Sequence, residues 1–154
     1  MERTGAGVAL AVRSARFAEL RPGALYGILR LRSEVFVVEQ DCVYLDTDGR
    51  DTDPSTTHWW VEDGEPGEVV ACARLLREPG GGSQIGRVAT RASHRRRGLG
   101  AQLVRAALAL AVAPRPVVVH AQAHLERWYA GFGFVREGDE FLEDGIPHVL
   151  MFVR

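Results

Sequence analysis

Lysine is absent from this chain: all 19 basic residues among its 154 are arginine. Modification of lysine amines therefore has no target, and the bias points to GC-rich coding. Cysteine is scarce, with only Cys42 and Cys72. They form no Cys-x-x-Cys pair, so neither a zinc site nor a disulfide framework is implied, and Cys72 reads as a small buried hydrophobe in an apolar strand. No stretch approaches the ~20 apolar residues needed to span a membrane. The first residues, Met1 to Gly7, also lack the basic start and apolar run of a secretory signal, which places the expected location in the cytoplasm. Charge is balanced at 19 basic against 20 acidic residues, net −1, which disfavours a nucleic-acid binder. With 46% hydrophobic residues, no linker and no internal repeat, residues 1–154 read as one domain. A chain of this length buries about 68–70% of its unfolded surface in one core.

What is present is a strand running into an anion-binding turn. Gln84-Ile-Gly-Arg-Val-Ala-Thr90 has strand character, and Arg95-Arg96-Arg97-Gly98-Leu99-Gly100 follows, opening a helix. Closely spaced glycines free the backbone to aim N–H groups at one point, and the unpaired amides of a first helical turn add partial positive charge there. Guanidinium groups beside such a turn suit phosphate oxygens. The spacing is neither that of the nucleotide-hydrolase phosphate loop nor G-x-G-x-x-G, since Leu103 stands where the last glycine would be.

The remaining pattern predicts a mixed α/β order. Val8, Leu10 and Val12 alternate as a first strand, and Pro22 opens a helix with Leu25, Ile28, Leu29, Val35 and Phe36 on one face. Strands are expected at 58–62, 69–76, 84–90, 117–121, 134–137 and 146–153. Leu99, Leu103, Ala106 and Leu110 mark a second long helix, which Pro114 and Pro116 stop, and a last helix carries Leu125, Trp128 and Tyr129. Trp128 is expected in the core. Asp41–Thr57 reads as an irregular acidic segment. A calcium loop is excluded, because Gly49 holds the fourth loop position instead of the sixth and Thr57 stands where the bidentate Glu belongs. A solvated loop is the default there, with a carboxylate wall attractive to a cationic amine as the functional alternative.

Arg95, Gly98 and Gly100 occupy the fixed places of the Arg/Gln-x-x-Gly-x-Gly/Ala loop of the GNAT superfamily of acetyltransferases, which the chain resembles. The segment from Ala121 to Phe134, with Tyr129 before Gly-Phe-Gly-Phe, is similar to that family's second signature. Residues 31–40, Asp46-Thr-Asp48 and Glu143 to His148 with Met151 resemble its ElaA-like branch. The resemblance implies a central mixed, mostly antiparallel twisted sheet, splayed between strands 4 and 5 and flanked by helices. It further implies acetyl-CoA as co-substrate, an unidentified amine as acceptor, and a homodimer. Nucleic acid, membrane and metal are not expected.

The site follows from the same resemblance. Amides around Val88, Ala89 and Thr90, with Gln122, would hold the pantetheine arm and polarise the thioester. Arg95, Arg96, Arg97, Gly98, Leu99, Gly100 and Ala101 would hold the pyrophosphate. Tyr129 would protonate the leaving thiolate, its phenol being protonated at neutral pH yet close to a thiol in acidity. The base is open. Some relatives place Glu on the fourth strand, but Gln84 stands there and an amide takes no proton. Glu39, His58, His148 and Glu143 are the candidates, each with a structural alternative as a cap, ion pair or hydrogen-bonded histidine. Two other functions stay open: an acyl-homoserine-lactone-synthase-like transferase, suggested by Arg32-x-x-Val-Phe-x-x-Glu39, and a non-catalytic acyl-CoA-binding module.

Overall fold

A computed structural model describes residues 10–64, 67–111 and 116–154. Seven strands form one sheet, β1 (Val12–Arg16), β2 (Thr57–Asp63), β3 (Glu68–Arg77), β4 (Ser83–Thr90), β5 (Val117–Gln122), β6 (Val135–Glu143) and β7 (Ile146–Val153). Their order is β1-β2-β3-β4-β5-β7-β6, and every neighbouring pair is antiparallel except β4 with β5. The helices are α1 (Pro22–Arg32), α2 (Leu99–Leu110) and α3 (Glu126–Ala130). Among the described residues no helix is long and apolar enough to cross a membrane.

Period-two alternation decides which side each tryptophan takes. Trp59 packs into the core cluster that includes Leu103, Val104 and Ala107 of α2, whereas Trp60 packs with Ile28 and Leu31 of α1. Helices thus cover both faces, and β3 reads as a nearly continuous buried run from Val69 to Leu76.

Three details depart from the sequence pattern. Among the described residues the first strand starts at Val12, with Leu10 outside it, while Val8 and Pro114 lie outside the described residues. The α2 stripe is rotated toward Val104 and Ala107, leaving Leu110 49% exposed. Trp128 is not a core residue either. It is 36% exposed because α3 is only five residues long and its other side is occupied by Tyr129.

Two irregularities shape the interior. Beyond α1 the chain continues as a π-helical segment, Ser33–Glu39, in which the Gln40 N–H donates to Val35 O. Wide turns of this kind recur at functional sites. The parallel pairing of β4 with β5 covers only Ser83–Ile85 against Val117–Val119, so the sheet opens beyond Ile85. In the same stretch β4 carries a bulge: Ala89 pairs with Cys72 and Gly86 with Arg74, leaving Arg87 and Val88 opposite Ala73 alone. Arg87 sits there at φ +51°, a left-handed conformation unusual for a residue with a side chain.

Candidate active site

The opening between β4 and β5 contains two concavities. One is a groove of about 470 Å³ lined by the end of β4, the loop before α2, and α3. The other is a cavity of about 180 Å³ between the π-helical segment, β4, β5 and the β6–β7 hairpin. Both are lined by Gln40, Val88, Gln122, Leu125 and Tyr129, so they meet at these residues.

The groove gathers most of the expected cofactor residues: Val88, Ala89, Thr90, Arg95, Arg96, Gly98, Leu99, Gly100, Ala101 and Gln122. Arg97 is not in its lining. Gly98 holds φ +77° just before Leu99, the first residue of α2, and no side chain caps that helix. The first helical amides, of Leu99, Gly100 and Ala101, therefore lack intrahelical acceptors, while the Gln102 N–H donates to Gly98 O. A Cβ on Gly100 would lie 3.5 Å from the Trp128 ring, an ordinary contact, so its smallness matters to a ligand more than to the protein. Arg95 is already engaged: its Nε donates to Thr90 O at 3.0 Å and its guanidinium meets both Glu39 carboxylate oxygens at 2.7 and 2.8 Å. Glu39 is thereby paired on the groove side and does not line the cavity. Beyond the bulge, the Arg91 N–H donates to Val70 O, so alternation turns the amide of Thr90 toward the open edge.

Tyr129 stands at the junction, 7% exposed. Its ring packs edge-to-face on Trp128 and Phe134, and burial pushes its hydroxyl up to about 12. Gln122 Nε2 donates to Gln40 Oε1 at 3.0 Å, spanning the junction from β5 to the end of the π-helical segment.

The histidine candidates separate. His58 is fully buried in β2, lines neither concavity, and its Nε2 donates to Asp51 O at 3.0 Å. Burial shifts it below its ordinary value, which keeps it neutral. His148 on β7 does line the cavity. Its Nδ1 donates to Ile146 O at 2.7 Å, which leaves the Nε2 lone pair free in the neutral ring, and that atom lies 3.6 Å from Glu143 Oε2.

The acidic segment is not a solvated loop. Arg32, buried on α1, meets Asp46 and Asp51 at 2.7 Å each, and buried Arg74 meets Asp48 at 2.6 Å and Asp51 at 2.9 Å. Arg87 Nε lies 2.8 Å from Asp46 Oδ1. Burial alone would raise the carboxyls of Asp48 and Asp51, but the hydrogen bonds and charges of these arginines outweigh it and hold both below the usual carboxylate range. This ion-pair network fastens the segment to α1 and β3, so that Cys42, Tyr44 and Leu45 wall the cavity.

A model of the acetyltransferase (GNAT) domain matches residues 34–154. The chain belongs to the GNAT family. It is 48% identical over 144 residues to a UPF0039 protein of Mycobacterium tuberculosis, covering 92% of this chain and 91% of that one. To the ElaA protein of Escherichia coli it is 40% identical over 144 residues, covering 87% and 90%. The ElaA crystal structure aligns at a TM-score of 0.87 and 34% identity over 95% of this chain and 100% of that chain. An acyl-CoA N-acyltransferase from Pseudomonas aeruginosa aligns at 0.86 and 39% identity, covering 94% and 99%. The ElaA-like branch and the splayed mixed sheet expected from sequence are both present. Among the described residues no cluster is arranged to hold a metal ion. Sequence reasoning missed His120, which lines the GNAT cavity from β5. A polar residue between Val119 and Ala121, both buried, was the available signal.

Proposed function

We propose that this protein transfers an acetyl group from acetyl-CoA to a primary amine by direct attack within a ternary complex. The observation that carries this reading is the meeting of groove and cavity at Tyr129, Val88 and Gln122, an arrangement in which a donor in one and an acceptor in the other would lie end to end. The groove residues suit acetyl-CoA: the free amides of Leu99, Gly100 and Ala101 with Arg96 would take the pyrophosphate, and the amides of Val88 and Thr90 would take the pantetheine arm and the thioester oxygen.

In this mechanism His148 Nε2 takes the proton from the attacking nitrogen. Its other nitrogen is fixed on Ile146 O, and Glu143 stabilises the imidazolium that forms. The new C–N bond forms as the C–S bond breaks, and the Tyr129 hydroxyl gives its proton to the sulfur. A phenol near 12 is a poor match for a thiol in water at about 8.5. Burial acts on both groups, however. Desolvation raises a thiol for the same reason that it raises a phenol, so a thiolate released beside Tyr129 rises with its donor.

The test is release of free thiol from acetyl-CoA with butylamine, 1,4-diaminobutane and alaninamide. Turnover with product acetamide supports the reading. Acetyl-CoA affinity without thiol release would make the protein a binding module.

A further inference from the structure

We propose that Glu143 and His120 form a proton relay from His148 to solvent. The proposal rests on the acetyl-transfer reading above. An alkyl amine with a pKa of about 10.4 arrives at neutral pH as ammonium. The balanced reaction is therefore ammonium plus acetyl-CoA giving acetamide, free thiol and one proton. Of the two protons that leave the nitrogen, the one lost after the C–N bond forms makes up for the one Tyr129 gives to sulfur. The one lost before attack must leave the cavity.

His148 cannot discharge it alone, because its side chain is only 9% exposed. Glu143, at 41%, and His120, at 36%, reach water. The three groups lie in sequence: His120 Nδ1 is hydrogen-bonded to Glu143 Oε1 at 2.9 Å, and Glu143 Oε2 lies 3.6 Å from His148 Nε2. That is an ion-pair separation, which the exposed Glu143 side chain must shorten to hydrogen-bond distance to take the proton. The topology brings the groups together, since β7 pairs Leu150 with His120 and His148 with Gln122, which sets the two histidines on one face. Glu143 comes from the end of β6. Phe141 fills the space between the rings, edge-to-face with His120 at 5.7 Å and stacked on His148 at 6.0 Å.

Stability does not account for this arrangement, because an exposed ion pair contributes only about 0–1 kcal/mol. Nor do the other ionisable groups at the cavity compete for the proton. The buried Cys42 thiol and Tyr129 phenol are raised and already protonated, Asp46 and Arg87 are paired with each other, and Asp144 and Tyr44 line the cavity without an ion pair or hydrogen bond to His148.

The experiment compares Glu143→Gln and His120→Gln with the parent protein, using acetyl-CoA and whichever of the three probe amines is turned over fastest, in dilute non-nucleophilic buffer and with added imidazole. Glu143→Gln should lower kcat by about 10²-fold, the lower end for general acid–base catalysis, with KM and thermal stability unchanged. His120→Gln should lose less. Imidazole should restore both saturably, which a merely structural role would not allow. Wild-type kcat in dilute buffer for both variants, or a loss that imidazole fails to repair in folded protein, overturns the relay. A parent protein that turns over none of the amines refutes the transferase reading itself, and the relay with it.

Discussion

Replacing Tyr129 with Phe removes one oxygen from the place where the two concavities meet. The ring keeps its edge-to-face contacts with Trp128 at 4.8 Å and Phe134 at 5.8 Å, so packing is preserved. Burial is the sole cause of the hydroxyl's shift, so no charged partner is left behind when it goes. Unfolding temperature and coenzyme A affinity should therefore stay close to the parent's. The catalytic loss should be large. General acid catalysis supplies about 10²–10⁴-fold, equivalent to about 2.7–5.4 kcal/mol at 1.36 kcal/mol per decade, and kcat should fall by that range with little change in KM. The assay is initial-rate thiol release, with calorimetry for coenzyme A binding and a thermal melt on the same preparation. The pH profile adds a second check. A phenol raised to about 12 stays protonated through the alkaline range, so the parent's kcat should not fall from Tyr129 ionisation below about pH 11. If the Phe variant keeps near-parent kcat with chemistry rate-limiting, water donates the proton and Tyr129 is a packing residue.

Arg32→Met should destabilise the fold by about 3–5 kcal/mol, because Asp51 and Asp46 lose a buried partner, and lower the melting temperature by about 6–20 °C; a shift under about 2 °C would refute the anchoring role. Gly98→Val places a β-branched residue at φ +77° and should weaken coenzyme A binding at least about tenfold, equivalent to 1.4 kcal/mol, whereas Gly100→Ala should leave the melting temperature intact and weaken binding alone; unchanged calorimetric affinity in both would remove the pyrophosphate from this loop. His58 titrates below its ordinary 6.5 in the fold, so the unfolded chain binds the proton first: its contribution is complete above about pH 6.5 and is lost as pH falls from there toward the folded value. In His58→Gln, urea-derived stability should be flat between about pH 5 and 6.5 where the parent's declines, and matching profiles would refute this. Asp48 and Asp51 are held low, so their contribution persists above about pH 4 and disappears only as pH falls through their lower folded values.

The frame was legible because its elements are locally consistent: Pro22 starts α1, apolar runs mark β2 and β3, alternation marks β4 and β5, and Gly98 starts α2. Tertiary pairing was not legible. The acids at 46, 48 and 51 look solvated in sequence because their partners, Arg32, Arg74 and Arg87, come from other elements. For the same reason His58 and His148 look alike in sequence. One neighbours a buried carbonyl of the acidic segment, and the other faces a cavity through a hairpin folding back on β5. Trp128 was misjudged because aromatic type predicts burial only where the helix is long enough to present an inner face.

The segment from Asp41 to Thr56 divides its work by position. Asp48 and Asp51 clamp it to α1 and β3, while Tyr44 and Leu45 wall the cavity and Val43 beside them is exposed. A substitution at 44 or 45 therefore reshapes the chamber without loosening the clamp, whereas one at 48 or 51 loosens the clamp and with it the wall that the clamp holds in place. Acceptor preference in such a scaffold can drift through small steps that leave folding and the donor groove untouched.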